Sequence, residues 1–170
     1  MFRKRTAGFT LVELLVVVII LGILAAVVVP QFTDHTNDAR LASLDTNLAE
    51  LRGAIELYYH QHNGMYPGQI DSGSGPQVSP NPDATFTGQL TQYTNLQGQT
   101  ASTKSDVFKF GPYLRKDQLP TNPFKGDNTL VADTGTNSLA TDIYDGGSAW
   151  KFAVLIGKFI ANDSPDHATR

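Results

Sequence analysis

Phe9-Thr10-Leu11-Val12-Glu13-Leu14-Leu15-Val16-Val17-Val18-Ile19-Ile20-Leu21 is an apolar run interrupted by a single carboxylate, and its reading decides the fold. The basic octapeptide Met1-Phe2-Arg3-Lys4-Arg5-Thr6-Ala7-Gly8 precedes it, and the apolar character continues to Val29. At 1.5 Å per residue, a helix over Phe9 to Val29 covers about 30 Å, the thickness of a bilayer core. The basic triplet lies before this run and no Lys or Arg follows until Arg40. The positive-inside tendency therefore places the N-terminus in the cytoplasm and the remainder outside. An acid inside a spanning helix costs about 2.5–3.5 kcal/mol on insertion scales, so Glu13 calls for a function and a partner.

A cleaved secretory signal is the alternative for a basic start followed by apolar residues. Two features oppose it: the apolar stretch is longer than such signals use, and Ala25-Ala26 is followed by Val27-Val28-Val29 where a polar mature start belongs. The chain has 170 residues, enough for one domain, with hydrophobic residues concentrated at the front and Gly, Pro, Asn, Thr and Ser prominent behind. Formal net charge is -3, and a leader carrying Arg3, Lys4 and Arg5 removes three of the thirteen basic side chains and none of the sixteen acidic ones. The acidic body argues against nucleic acid as a partner. With no cysteine there is no disulfide framework and no thiolate zinc site.

Gly8-Phe9-Thr10-Leu11-Val12-Glu13, behind a short basic leader and ahead of about twenty apolar residues, resembles the type III signal of type IV pilins and type II secretion pseudopilins. The resemblance covers the first third of the chain, including Pro30, where members of that family carry a helix-bending proline. It implies that a prepilin peptidase cuts between Gly8 and Phe9 on the cytoplasmic side and that the new amino group of Phe9 is methylated. Gly8, without a side chain, fits a narrow protease site at the membrane surface. Cleavage would also create the partner for Glu13. An α-amino group is mostly cationic at neutral pH, and a carboxylate in hydrocarbon needs a charge-assisted bond to stay ionised. The amine of one subunit meeting Glu13 of its neighbour would set register between subunits. The competing reading has Glu13 bend back to the headgroups or to its own helix terminus, where an acid suits the helix dipole.

Beyond the membrane, Leu41, Leu44, Leu48, Leu51, Ile55 and Tyr58 recur at helical spacing and form one apolar stripe. Asp34, Asp38, Arg40, Asp45, Glu50, Arg52 and Glu56 occupy the other side. The helix is expected to run to about Gln61 and to end in Asn63-Gly64 with a left-handed cap. Pro30 has no amide hydrogen and, with Gly22, marks a stretch expected to bend or loosen. Gly68 to Lys104 reads as a long variable loop with a short helix near Phe86 to Tyr93. Phe108 to Leu114 and Leu119 to Phe124 read as extended segments clamped by prolines. Trp150, Phe152, Val154 and Ile156 alternate with Lys151, Ala153 and Leu155, and Gly157-Lys158 turns the chain into Phe159-Ile160-Ala161, a hairpin. The segment from Gly111 to Asn162 is similar to the C-terminal halves of major pseudopilins.

The expected fold is α+β: a long N-terminal helix, half transmembrane and half amphipathic, with a small antiparallel sheet packed on its C-terminal half, as in pilins. The organisation is a leader at 1–8, a filament-core helix at 9–29, an amphipathic helix at 30–62, a variable region at 63–110 and a sheet-bearing head at 111–170. No nucleophile elbow, phosphate loop or zinc motif occurs, so no enzymatic role is expected. His35 lies just outside the membrane and His167 in a polar tail, while His60 and His62 read as solvated shaft residues that point to different sides of a helix. The resemblance to major pseudopilins also implies a calcium ion in a C-terminal loop, for which Asp127, Asp133, Asp142 and Asp145 are the candidates. Solvated turn aspartates are the other reading.

The implied role is a structural subunit of a type IV pilus-like filament, specifically a type II secretion pseudopilin that drives protein export. Its implied partners are copies of itself, the prepilin peptidase, minor pseudopilins, an inner-membrane assembly platform and the lipid bilayer. It would sit in the bacterial inner membrane with the head outside the cytoplasm before entering the filament. A type IV pilin for adhesion, motility or DNA uptake is one alternative. A single-pass anchored binding protein that never polymerises is the other.

Overall fold

In the computed structural model the described residues are 8–71, 73–135 and 144–170, with the side chains of 26–35 also excluded. Helix α1 covers Leu11–Gln61. The chain divides into two compact units, Met1–Arg40 and Leu41–Arg170, and α1 contributes to both.

In the first unit, the described apolar side chains of α1 from Leu11 to Leu24 are exposed. Exposure runs from 47% at Val16 and Val17 to 83% at Leu11, and Leu24 is still 56% exposed. Among the described residues no helix is long and apolar enough to cross a membrane, and the expected span Phe9 to Val29 extends past them at residue 26. Pro30 falls within the helical range of α1, but its side chain lies outside the described residues.

The second unit is organised around the stripe on the C-terminal part of α1. Leu44, Leu48, Leu51, Ile55 and Tyr58 are each at most 2% exposed and form one cluster with Phe86, Leu90, Trp150, Phe152 and Phe159. Burying each of these side chains contributes about 1.5–3 kcal/mol, which makes this face the main source of the domain's stability. The helix ends as its sequence dictates. Asn63 and Gly64 both adopt left-handed backbone, at φ 54 and φ 79, and the Gly64 amide donates to the Tyr59 carbonyl.

The segment expected as a variable loop contains more structure than its composition suggests. Strands β1 (Gln69–Asp71) and β2 (Pro76–Val78) pair antiparallel, as do β3 (Tyr93–Thr94) and β4 (Thr100–Ala101). Between them, α2 spans Pro82–Thr91, earlier than the Phe86 to Tyr93 expected. Asn81 fixes its start by accepting from the Ala84 amide, and Pro82 suits the first turn, where a missing amide hydrogen costs nothing. Phe86 and Leu90 then enter the core fully buried.

The C-terminal sheet has the order β5-β6-β7, with β5 at Leu130–Asp133, β6 at Trp150–Ala153 and β7 at Lys158–Ala161. The predicted hairpin is present: β6 and β7 pair antiparallel with Trp150 opposite Ala161. Its turn takes up residues 154–157, so the first strand ends earlier than the alternation to Ile156 suggests. Gly157 must be glycine here, because its φ is +70 and a Cβ would fall 2.2 Å from the Tyr66 ring. Strand β5 joins β6 in parallel, which makes this sheet mixed; the connection over residues 134–149 is long enough for the crossover a parallel pair needs.

Alternation in β6 predicts one wet face, yet all four of its residues are buried. Trp150 and Phe152 face the main core. Ala153 packs with Ile160 and Ala168, the latter from the helical turn α3 (Pro165–Ala168), and Ile156 and Tyr144 flank them. Lys151 is consequently buried at 8% exposure. Both outer edges of the sheet are capped by side chains. The Ala132 amide of β5 donates to Asp83 at 2.6 Å, and Arg52 donates to the Phe159 carbonyl of β7 at 3.1 Å. Each of these bonds occupies one backbone group on an edge that could otherwise pair with another strand.

His62 departs from the solvated reading. It is fully buried, stacked on Tyr58 with ring centroids 3.8 Å apart, and its Nε2 is 3.0 Å from Thr94 Oγ1. Its burial follows from its place four residues after Tyr58, on the line of the buried stripe, with Thr94 of β3 against its other edge. Burial holds its pKa below the usual imidazole value, partly offset by its bond to the Tyr58 carbonyl. His60 remains solvated, as expected from its position.

Candidate processing and assembly site

Gly8, Phe9 and Thr10 precede the helix and are exposed, with Phe9 at 79%. An exposed, non-helical dipeptide is what a peptidase can draw into an extended active-site cleft. Immediately after it, α1 starts with a reciprocal pair of bonds. The Thr10 amide and hydroxyl both donate to Glu13 Oε2 at 2.8 Å, and the Glu13 amide donates to Thr10 Oγ1 at 3.3 Å. The Leu14 amide donates to the Thr10 carbonyl, so Thr10 is the cap residue and Glu13 the third helical position. This is a capping box, which satisfies two of the donors every helix start leaves open.

The box shows where Glu13 resides in the single subunit: its carboxylate turns back to its own terminus, close to where the Phe9 amino group would stand after a cut. Thr10 is therefore a site residue that reasoning on Glu13 alone missed. The signal was present as Thr-x-x-Glu at positions 10 and 13 ahead of an apolar run. Gly22 is open, with nothing near the position of a Cβ, so a close approach by another helix is sterically free there.

Of the candidate metal ligands of the head, Asp127 stands apart from the described pair Asp133 and Asp145. Asp127 accepts from the Thr129 amide and hydroxyl, which hold its pKa below the usual carboxylate range. Asp133 and Asp145 do come together, on either side of Lys151, with Nζ at 2.7 Å from Asp145 Oδ2 and 3.5 Å from Asp133 Oδ2. Asp142 lies outside the described residues. Among the described residues no group of three or more His, Asp or Glu side chains is placed to hold a metal ion. Asp145 is also bound by the buried Asn162, whose Nδ2 donates to Oδ1 at 2.7 Å, and by the Gly147 amide. These donors, Asn162 first and then Lys151, drive its pKa well below the ordinary carboxylate value.

A long helix with an uncovered apolar first half, a carboxylate in its first turn and a small sheet closing over its second half define a prepilin-type subunit. The family described as the prokaryotic N-terminal methylation motif matches residues 3–29. The type II secretion system core protein G of Vibrio cholerae is 30% identical over 146 residues, covering 85% of this chain and 84% of the relative. The chain belongs to the family of type IV pilins and type II secretion pseudopilins. The type IV narrow pilus major component PilA5 of Thermus thermophilus is 43% identical over 61 residues, 36% of this chain and 53% of the relative. Core protein G of Pseudomonas aeruginosa is 41% identical over 67 residues, 39% of this chain and 46% of the relative. The chain thus spans about half the length of these last two. No solved structure matches.

Proposed function

We propose that this chain is a structural subunit of a type IV pilus-like filament, and specifically a pseudopilin of a type II secretion system. In this reading a prepilin peptidase cuts between Gly8 and Phe9, the Phe9 amine is methylated, and the subunit polymerises through α1 to drive protein export, with no catalytic step of its own. Before assembly it is held in the bacterial inner membrane by residues 9–29, N-terminus in the cytoplasm and head outside. Its partners are further copies of the chain, minor pseudopilins and the membrane assembly platform.

The observation that carries the reading is Glu13, the one carboxylate at the start of a helix whose apolar side chains are uncovered from Leu11 to Leu24. Exposed apolar surface on this scale needs lipid or neighbouring helices. Within a filament, Glu13 exchanges its bonds to Thr10 for the cationic amine of an adjoining subunit, and the stretch from Gly22 to Pro30 loosens to let helices pack. The likeness to core protein G over 85% of the chain favours the secretion role. The pilus component of Thermus thermophilus supports a true pilin as the second reading.

Glu13→Val tests the assembly step. The variant should be inserted and cut normally but fail to yield sheared filaments, and normal filament yield from it would refute the role given to Glu13.

A further inference from the structure

Lys151 is the most heavily buried ammonium position in the described head, its side chain 10% exposed at the second residue of the central strand β6. A cation so placed must be paired. Its Nζ stands between Asp133, the last residue of β5, and Asp145, shortly before β6, at 3.5 Å and 2.7 Å from their Oδ2 atoms. The remaining oxygens are also engaged. Asp133 Oδ1 accepts from the Gly135 amide, and Asp145 Oδ1 accepts from the Gly147 amide and Asn162 Nδ2. A second ammonium, Lys125 Nζ, donates to the Gly146 carbonyl in the same turn.

We propose that Lys151 is the resident cation of the head domain: its ammonium ties the end of β5 to the turn before β6, and the domain folds without calcium. The major-pseudopilin resemblance implies a calcium ion in this region, and the described residues do not fit one. Calcium takes six to eight oxygens at about 2.3–2.6 Å. Here an ammonium, which has three donors and no acceptor, holds the two carboxylates, and another ammonium holds the Gly146 carbonyl beside Asp145. A divalent ion entering between Asp133 and Asp145 would meet Lys151 as a like charge at contact distance. The ammonium supplies the same service as a metal, neutralising converging carboxylates, and does so covalently attached to the strand it stabilises. Sequence reading alone counts Lys151 as an ordinary strand residue and the aspartates as potential ligands. The parallel pairing of β5 with β6 sets Asp133 beside Lys151, and the bonds of Asp145 to Asn162 hold the third member in place.

The test uses full-length protein in detergent micelles, with the fluorescence of Trp150, the single tryptophan and fully buried in the head, reporting thermal unfolding. Wild-type Tm should be the same in chelator and in millimolar calcium chloride. Lys151→Met should lower Tm by about 5–10 °C in chelator, because two carboxylates lose their shared counter-ion. A rise of several degrees on adding calcium to the wild type overturns the proposal, as does a Lys151→Met Tm within about 1 °C of wild type. Should Lys151→Met fail to fold, Asp133→Asn reads the longer contact of the same pair: a lowered Tm with no calcium response supports the assignment, and an unchanged Tm overturns it. These outcomes are independent of whether the chain forms filaments.

Discussion

Asn122→Ala should be among the most damaging single changes in the head, and its cost follows from four bonds. Asn122 is fully buried in the proline-flanked segment before β5. Its Nδ2 donates to the Ala149 carbonyl at 3.0 Å and to Asp163 Oδ1 at 2.7 Å, while its Oδ1 accepts from the Phe124 and Lys125 amides at 2.9 and 3.2 Å. A neutral bond contributes about 0.5–1.5 kcal/mol net and one to a charged group about 1.5–3 kcal/mol. Phe124 is only half-buried and Lys125 is exposed, so their amides can recover water, which brings the expected loss to about 3–5 kcal/mol. That is a large share of the 5–15 kcal/mol typical of a domain. Trp150 is a suitable probe, since its Nε1 donates to the Pro120 carbonyl in the same segment. With m about 2 kcal/mol/M, urea titration followed by its fluorescence should show the midpoint falling by about 1.5–2.5 M. A fall below about 0.5 M at unchanged m would refute the claim that Asn122 ties the segment to β6 and the C-terminal turn.

Further outcomes concern the capping box, a buried imidazole and processing. Thr10→Ala should raise amide exchange at Glu13 by roughly 5–30-fold, from a capping loss of about 1–2 kcal/mol, while leaving the head's urea midpoint unchanged. His62 has a folded pKa below its unfolded value, so the stability it contributes is present above about pH 6.5 and is lost as pH falls through the folded pKa. The head's Tm should therefore drop between pH 7 and 5, and His62→Gln should flatten that slope; an unchanged slope would contradict the burial argument. Gly8→Leu should block processing, seen as retention of the leader mass in membrane fractions, and normal cutting would show that the absence of a side chain there is not needed.

Helices were legible because their signals are local. The stripe from Leu44 to Tyr58 repeats with helical period, Asn63-Gly64 carries the left-handed turn, and Phe9 to Val29 declares itself by length and hydrocarbon content. The β6-β7 hairpin was legible for the same reason, since Gly157 sits between two short runs of strand-forming residues. What the sequence concealed depends on contacts across long separations. Polar composition from Gly68 onward hid the short strands β1 to β4 and shifted the expected start of α2 from Pro82 to Phe86. The burial of Lys151 requires β5 alongside and α3 beyond the sheet, neither of which alternation encodes. His62 escaped because it was weighed only against His60, although it stands four residues after Tyr58 and so continues the apolar stripe. In the processing region, Glu13 was identified from its cost in lipid, whereas its bonded partner Thr10 needed the Thr-x-x-Glu spacing to be read as a cap.

The central claim is that a peptidase frees the Phe9 amine and that this amine, opposite Glu13, admits the subunit to a filament. The mass of the N-terminal peptide of native, sheared filaments tests it most directly. The account predicts a peptide starting at Phe9 and heavier by one methyl group; filaments whose subunits still carry Met1 to Gly8 would contradict it.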